Sequence, residues 1–423
     1  MKKTIILSFF LAITAGPMLF SCGGDDAETL VTPDVPDTPD PPKPEPEPEL
    51  DNSFRLTMSQ LYRVNKLNLF SYHVLQELYQ NREGEDQSLL ISPLSLVCAL
   101  GMMGEGADES TLGQIITALG FPKSDATGIR NLCVKLLQQL SSIDPEMKFD
   151  VANGVFCHQE HRLNPDWVGT LRENYGATAA TLDFSDPSSV GSINAWCSEK
   201  TQGKISSMAD ALDPSAYLYV LNALSLDATW TYSFYSGYTS THTFYRESET
   251  QTQMQMMEHH GGTLPHGESQ LFQMCELPYG DGKFSMLLIV PSDLYLRDML
   301  QMVGLDRIQS LEARLSSRNL VHLRLPRFQT QCTLDLTRAL KSFNITQPFS
   351  TSTSGLDGIA SGAYVSAVKQ STRFGVDESG RSTMSPDWIQ EVDLEILADH
   401  PFLYIIKEKT TGLYLFLGTY NGD

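Results

Sequence analysis

Positive charge is scarce in this 423-residue chain, which carries 30 Lys and Arg residues against 51 Asp and Glu residues, for a formal net charge of −21. No stretch gathers its Lys and Arg residues into a dense basic patch. A polyanionic partner needs such a patch to neutralise its charge. We therefore expect no nucleic-acid partner.

Sequence motifs for enzymatic chemistry are also missing. The chain has no GxSxG elbow, no glycine-rich phosphate loop and no Cys–His nucleophile pattern. We predict that the protein is not an enzyme and that it uses no cofactor.

Histidine is concentrated at two places that resemble metal-ligand clusters, Cys157-His158-Gln159-Glu160-His161 and Glu258-His259-His260. A zinc site needs three or four ligands that converge in space. Neither cluster has the HExxH spacing or paired CxxC motifs. We predict exposed histidines in loops or at strand ends, and no metal site, with a structural metal as the alternative.

The cysteines form no metal or redox motif. Apart from Cys22 they are scattered through mostly apolar surroundings, at Cys98, Cys133, Cys157, Cys197, Cys275 and Cys332. This distribution is typical of buried free thiols, although an exported protein could pair some of them.

Residues 1–22 are predicted to be a targeting segment. Lys2 and Lys3 precede an apolar core over Thr4–Ala15, and Cys22 follows a small residue. The segment resembles a bacterial lipoprotein signal, in which Cys22 would be acylated and become the new N-terminus. An ordinary secretory peptide is the alternative. No other apolar run reaches the length that spans a membrane.

Two features follow the targeting segment. The residues Cys22-Gly23-Gly24-Asp25-Asp26 resemble the acidic start that sends Bacteroidetes lipoproteins to the cell surface. The rest of residues 23–52 is rich in Pro and acidic residues, which predicts a disordered or polyproline-like linker. We expect a lipid-anchored location at the outer membrane or cell surface, or an extracellular one.

The remaining residues, 53–423, are predicted to form one folded domain. Helical periodicity dominates its first part: apolar residues recur at three and four positions over Leu61–Leu78, and Ser92-Pro93 is a helix start. Strand patterns dominate from Tyr217 onward, including single strands over Tyr217–Leu226 and Val321–Phe328. Helices followed by strands predict an α+β fold with large, mainly antiparallel sheets.

Seven motifs in this domain occur in the order that is typical of the serpin family, over Leu61–Gly418. They are SPLS at Ser92–Ser95, GEGA at Gly104–Ala107, INAW at Ile193–Trp196 with KTQGKI at Lys200–Ile205, LNA at Leu221–Ala223 with Trp230, LPY at Leu277–Tyr279, LPRF at Leu325–Phe328, and DHPF at Asp399–Phe402. The sequence is identified as a member of that family. The resemblance implies a fold of three β-sheets and eight or nine α-helices, with an exposed reactive-centre loop near the C-terminus.

In the serpin family a protease attacks this loop, and the cleaved loop then inserts into a sheet as a new strand. The resemblance assigns the hinge of the loop to Glu378, Gly380, Arg381, Ser382 and Thr383. Glu378 and Gly380 fit the pattern of inhibitory members, whereas Arg381 stands where they have a small residue. No alanine run follows.

Strand alternation shows what insertion would bury. In the register of the family the inward side chains are Arg381, Thr383, Ser385, Asp387, Ile389 and Glu391. Burial of an unpaired charge costs several kcal/mol or forces neutralisation. A slip by one residue presents Met384, Pro386 and Trp388 instead, and Pro386 would remove a hydrogen bond from a central strand. The loop can insert in neither register without a cost in free energy.

The bond that a protease would cleave is placed differently by two counts. Counting from the hinge gives Leu394–Glu395, and counting back from Pro401 gives Gln390–Glu391. Both stay open as candidates.

The resemblance also assigns residues that control opening of the sheet. Ser92, Ser95 and Asn222 match the shutter of the family, where Gln370 stands in place of the usual His and can still donate and accept hydrogen bonds. Trp230 matches the tryptophan of the breach, the point where the loop would enter the sheet. A purely stabilising role for these buried polar groups is the alternative.

These features predict a monomeric serpin of the serine-type endopeptidase inhibitor class. It would present its loop to extracellular serine or cysteine proteases from a lipid-anchored position, with suicide trapping opposed by the short, charged hinge. The alternative is a non-inhibitory serpin, a binding or structural module whose loop is cleaved without trapping.

Overall fold

The computed structural model describes residues 54–122, 127–317, 320–383 and 393–423. Within these ranges it contains nine α-helices: α1 (Met58–Gln80), α2 (Pro93–Gly104), α3 (Glu109–Ala118), α4 (Gly128–Ile143), α5 (Pro165–Tyr175), α6 (Ser188–Lys200), α7 (Leu296–Met302), α8 (Leu305–Glu312) and α9 (Thr337–Ser342).

Local capping chemistry explains where several of these helices begin. Thr57 and Gln60 form a reciprocal capping box at the start of α1. Ser92 accepts a hydrogen bond from the backbone of Ser95 at the start of α2, where Pro93 occupies the first turn. Asp108 caps α3 through the backbone of Thr111.

Seventeen strands lie within the described ranges: β1 (Leu89–Ile91), β2 (Lys148–His158), β3 (Thr178–Leu182), β4 (Leu218–Asp227), β5 (Trp230–Ser233), β6 (Ser240–Tyr245), β7 (Gln251–Gly262), β8 (His266–Glu268), β9 (Phe272–Tyr279), β10 (Phe284–Pro291), β11 (Val321–Pro326), β12 (Phe328–Asp335), β13 (Ala367–Val376), β14 (Gly380–Thr383), β15 (Leu394–Leu397), β16 (Phe402–Glu408) and β17 (Tyr414–Tyr420).

The strands form three sheets. The five-stranded sheet has the order β12-β13-β4-β2-β3, and the four-stranded sheet has the order β15-β11-β7-β6. The eight-stranded sheet has the order β1-β17-β16-β10-β9-β5-β14, with β8 paired to β9. Helix α2 is buried from Pro93 to Met103 and contacts both β4 and β17. It therefore lies in the core between the five-stranded and the eight-stranded sheets and carries Ser92 beneath the former.

The predicted α+β class with three sheets and eight or nine helices is confirmed. Three details differ from the sequence prediction. The run Val321–Phe328 is divided between β11 and β12, which belong to different sheets. The helical stretch Asp298–Arg314 is divided between α7 and α8. The segment after Ser379, which has no strand period, begins as β14 because its backbone pairs with β5.

Candidate functional site

Two neighbouring strands of the five-stranded sheet run in the same direction. Strand β13 pairs with β4 in parallel, in a register that runs from Ala367 opposite Tyr219 to Phe374 opposite Leu226. The chain leaves β13 at Val376 and reaches the predicted hinge within a few residues. A loop that returned to the sheet would enter between β4 and β13, and these two strands are hydrogen-bonded to each other in this structure.

A polar contact fastens β13 to the start of α2. The side-chain oxygen of Gln370 accepts a hydrogen bond from the backbone N–H of Ser92 at 2.8 Å, and its amide nitrogen donates to the Ser92 carbonyl at 3.0 Å. Both residues are buried. Gln370 thus forms hydrogen bonds with two backbone groups at a helix start and connects two of the predicted shutter residues, Ser92 and Gln370.

The other two predicted shutter residues make different contacts. Asn222 lies opposite Gln370 in the register, but its side-chain amide donates to the Oδ1 of Asn153 at 2.6 Å. Asn153 in turn donates to the carbonyl of Tyr175 at 2.7 Å. Ser95 donates its backbone N–H to Ser92 Oγ at 3.2 Å, and its own buried Oγ has no hydrogen-bond partner among the described residues. Asn153 was missed by the sequence analysis, since it belongs to no motif.

Trp230 connects the predicted breach to the hinge. Its ring is buried and stacks on Tyr279 with 4.1 Å between ring centroids. The indole Nε1–H donates to the carbonyl of Asp377 at 2.8 Å, and the backbone N–H donates to the carbonyl of Ser379 at 3.0 Å. The tryptophan therefore holds the chain on both sides of Glu378.

The carboxylate of Glu378 is held by two elements. Arg327 donates through Nε to Oε2 at 3.0 Å and through Nη2 to Oε1 at 2.5 Å, and Thr239 donates its hydroxyl to Oε1 at 2.7 Å. Partial burial would raise the pKa of Glu378, but the hydrogen bonds from Arg327 and Thr239 outweigh it and lower that pKa. Arg327 belongs to the LPRF motif, and nothing in that motif predicts its ion pair with the hinge.

The hinge residues Gly380, Arg381, Ser382 and Thr383 form strand β14, which pairs with β5 in parallel. A Cβ atom on Gly380 would lie 2.2 Å from the backbone nitrogen of Ser233, so only glycine allows this pairing without a shift of the backbone. Arg381 is exposed.

The two candidates for the cleaved bond have different positions. Leu394 and Glu395 belong to β15, where they pair with Val321 and His322 of β11. Gln390 and Glu391 lie outside the described residues, as do Met384, Ser385, Pro386, Asp387, Trp388 and Ile389.

The histidines of the first cluster form contacts with other aromatic rings. His158 ends β2 and lies 6.2 Å from the ring of His161, which stacks on Tyr217 with 3.6 Å between ring centroids. Burial, with a smaller contribution from His158, lowers the pKa of His161.

The second cluster lies within β7 of the four-stranded sheet. Glu258 is buried in this cluster. Burial of the neighbouring His259 lowers the pKa of its imidazole to about 4. Burial would raise the pKa of Glu258, but Arg324 and His322 outweigh it and lower that pKa. Glu258 is therefore an ionised carboxylate at neutral pH.

The six cysteines outside the targeting segment are free thiols, and all but the partly exposed Cys332 are buried. Burial raises the pKa of Cys157 to about 12 and that of Cys275 to about 12. No helix within the described ranges is long and apolar enough to cross a membrane.

A three-sheet α+β fold in which the predicted hinge follows one of two adjacent parallel strands is the architecture of the serpins. Residues 65–422 match the family model described as serpin (serine protease inhibitor). The chain belongs to the serpin family, whose characteristic activity is protease inhibition rather than catalysis.

Relatives from distant organisms share most of its length. Human neuroserpin is 24% identical over 354 residues, which cover 79% of this chain and 86% of neuroserpin. A serpin-like protein of Thermococcus kodakarensis is 27% identical over 372 residues, 84% of each chain. The thermophilic serpin tengpin in its native state matches the fold with a TM-score of 0.77 at 22% identity, over 87% of this chain and 95% of tengpin.

Proposed function

We propose that the protein is a serpin of the serine-type endopeptidase inhibitor class that presents residues 384–392 to extracellular serine or cysteine proteases. The observation that supports this proposal is the parallel pairing of β4 and β13. If this ladder opens, one further strand can be inserted between them. A segment that follows β13 and turns back can enter between the two only as an antiparallel strand. It would replace one parallel ladder by two antiparallel ladders.

Insertion has a structural cost at the hinge. The β4–β13 ladder must open, and β14 must leave β5, because β14 is paired in parallel with β5 of the eight-stranded sheet. Burial of Arg381, Asp387 and Glu391 in the register of the family would add several kcal/mol for each unpaired charge. We infer that cleavage is followed by inefficient trapping.

The charged hinge also favours a second function, that of a non-inhibitory serpin whose loop is cleaved without trapping. The test incubates the full chain with a panel of serine and cysteine proteases. Inhibition predicts a covalent complex that survives denaturing electrophoresis and a large rise of the melting temperature after loop cleavage. The second function predicts cleavage without either change. Resistance of residues 384–392 to every protease would contradict both functions.

A single substitution sharpens this test. Arg381→Thr restores a small polar residue at the first inward position and is expected to increase the fraction of protease trapped. The matched control is Arg162→Thr, which changes an exposed arginine far from the hinge in sequence. Equal trapping by both variants would show that Arg381 does not limit insertion.

The pairing of β15 favours one candidate for the cleaved bond. Leu394 and Glu395 are hydrogen-bonded into a sheet, whereas a protease binds an extended and freely accessible segment. We infer cleavage near Gln390–Glu391. Mass spectrometry of the C-terminal fragment tests this, since a new N-terminus at Glu391 supports the inference and one at Glu395 contradicts it.

We further propose that the protein is attached to a membrane by a lipid. We infer that Cys22 is acylated and that residues 23–52 hold a monomeric serpin domain away from the membrane. An alkyne fatty acid supplied to cells should label the full chain and should not label Cys22→Ala, while Cys332→Ala should be labelled like the wild type. Labelling of Cys22→Ala would contradict the lipid anchor.

A further inference from the structure

One group of metal-ligating side chains is assembled on the four-stranded sheet, next to strand β15. Glu258 and His260 are two residues apart in β7 and share one face of the strand. His322 lies in β11 directly opposite His260. Sheet pairing thus adds a third ligand to the pair that the sequence shows, from a position 64 residues away in the chain.

The two distances from Glu258 to the histidines match those of a tetrahedral zinc site. The Oε2 atom of Glu258 lies 3.0 Å from His260 Nε2 and 3.3 Å from His322 Nε2, and the three ligand atoms all lie within 4.8 Å of one another. Zinc binds histidine nitrogen and carboxylate oxygen at about 2.0–2.2 Å, which places neighbouring tetrahedral ligands about 3.3 Å apart. Two histidines and one glutamate form a known type of zinc ligand set.

The neighbouring side chains orient this ligand set. Glu395 Oε1 lies 3.2 Å from Nδ1 of His322. In the tautomer in which Nδ1 donates to this carboxylate, the lone pair of Nε2 is available to a metal. A carboxylate that accepts from a metal-binding histidine is the common second partner in zinc proteins.

The other carboxylate oxygen of Glu258, Oε1, has two partners of its own. Arg324 donates through Nε to Oε1 at 2.9 Å, and His242 Nε2 lies 2.9 Å from the same oxygen. The two oxygens therefore serve different partners, and Oε2 faces the two other ligands. The positive charge of Arg324 opposes a metal, whereas the carboxylates of Glu258 and Glu395 favour it.

We propose that Glu258, His260 and His322 bind one zinc ion, with Glu395 as the residue that orients His322. The fourth position is open to water. Glu395 belongs to the edge strand β15, which follows residues 384–392, so zinc would fasten the C-terminal end of the reactive-centre loop to β11 and β7. This inference rests on the four-stranded sheet and does not depend on protease inhibition.

The test measures zinc binding by the purified full chain after chelator treatment and dialysis. Calorimetric titration with Zn²⁺ should give one site per chain, and the double variant His260→Ala/His322→Ala should lose it. The matched control His73→Ala removes an exposed histidine of α1 and should bind like the wild type. Circular dichroism checks that every variant is folded. Wild-type binding no tighter than that of the double variant would overturn the proposal.

Two further readouts separate a built site from surface binding. Glu395→Gln should weaken zinc binding about tenfold or more, and an unchanged affinity would remove Glu395 from the site. Zinc should also slow hydrogen exchange of the amides in Leu394–Leu397. No protection there, with zinc bound, would overturn the proposed link to β15.

Discussion

Arg327 and Glu378 form a two-point ion pair between the start of β12 and the predicted hinge, 51 residues apart in the chain. The guanidinium is half exposed, whereas the carboxylate is largely buried. This pair, together with Thr239, keeps the hinge beside Trp230 and away from the interior of the five-stranded sheet.

Glu378→Gln is expected to destabilise the hinge in a pH-dependent way. The pKa of Glu378 is lowered in the folded protein, so its contribution to stability is present above the unfolded value of about 4.5 and is lost as the pH falls through the lower folded value. The variant should therefore be less stable than the wild type at neutral pH, and the difference should vanish in acid. Urea unfolding at a series of pH values measures this. A difference that stays constant into acid would contradict the role assigned to the ion pair.

Gln370→Ala should destabilise the protein by about 1–3 kcal/mol, because it leaves the buried N–H of Ser92 without a partner and removes one of the two hydrogen bonds to the Ser92 carbonyl, which also accepts from Leu96. Gln370→His, which introduces the usual residue of the family, should recover part of this loss. Gln331→Ala is the control, since Gln331 is exposed on β12 of the same sheet. Chemical unfolding compares the three variants, and equal stability of Gln370→Ala and the control would contradict this prediction.

His400 is expected to make stability decrease with rising pH. Its Nδ1 lies 2.9 Å from Asp399 Oδ1 and its Nε2 lies 3.0 Å from the carbonyl of Pro291, so both ring nitrogens face acceptors. Burial would lower the pKa of His400, but these two hydrogen bonds raise it above 6.5. The stabilisation is therefore complete below about pH 6.5 and is lost as the pH rises through the higher folded value.

His400→Gln tests this pH dependence. The wild type should lose melting temperature more steeply than the variant as the pH rises above about 6.5. His73→Gln is a control of opposite sign, because burial lowers the pKa of His73, and this substitution should not flatten the decrease with rising pH. Parallel curves for the wild type and His400→Gln would contradict the assignment.

The six cysteines of the folded domain should react slowly with a thiol reagent in the native state. Burial raises the pKa of Cys157 to about 12 and that of Cys275 to about 12, so few thiolates form at mildly alkaline pH. Unfolding in denaturant should make all six reactive. A fast native reaction of more than the partly exposed Cys332 would contradict this packing.

Local sequence signals were sufficient to predict several of the helices and the family. Ser92 and Pro93 start α2 and Asp108 starts α3 through hydrogen bonds to residues a few positions away, so the signal and the structure lie in the same short window. Apolar repeats over Leu61–Leu78 likewise predict the buried face of α1. The resemblance to the serpin motifs also predicted a shutter position for Asn222 and the position of the hinge.

Local signals do not predict which strands pair, and strand pairing determines which side chains come together in a site. The apolar run Val321–Phe328 gives no sign that it is divided between two sheets at Arg327, and that division brings Arg327 to Glu378. The same folding places His322 opposite His260, which turns an unremarkable histidine pair into a three-ligand group. Such pairings depend on strand register between segments more than 50 residues apart, and register follows from packing of whole sheets rather than from any local pattern.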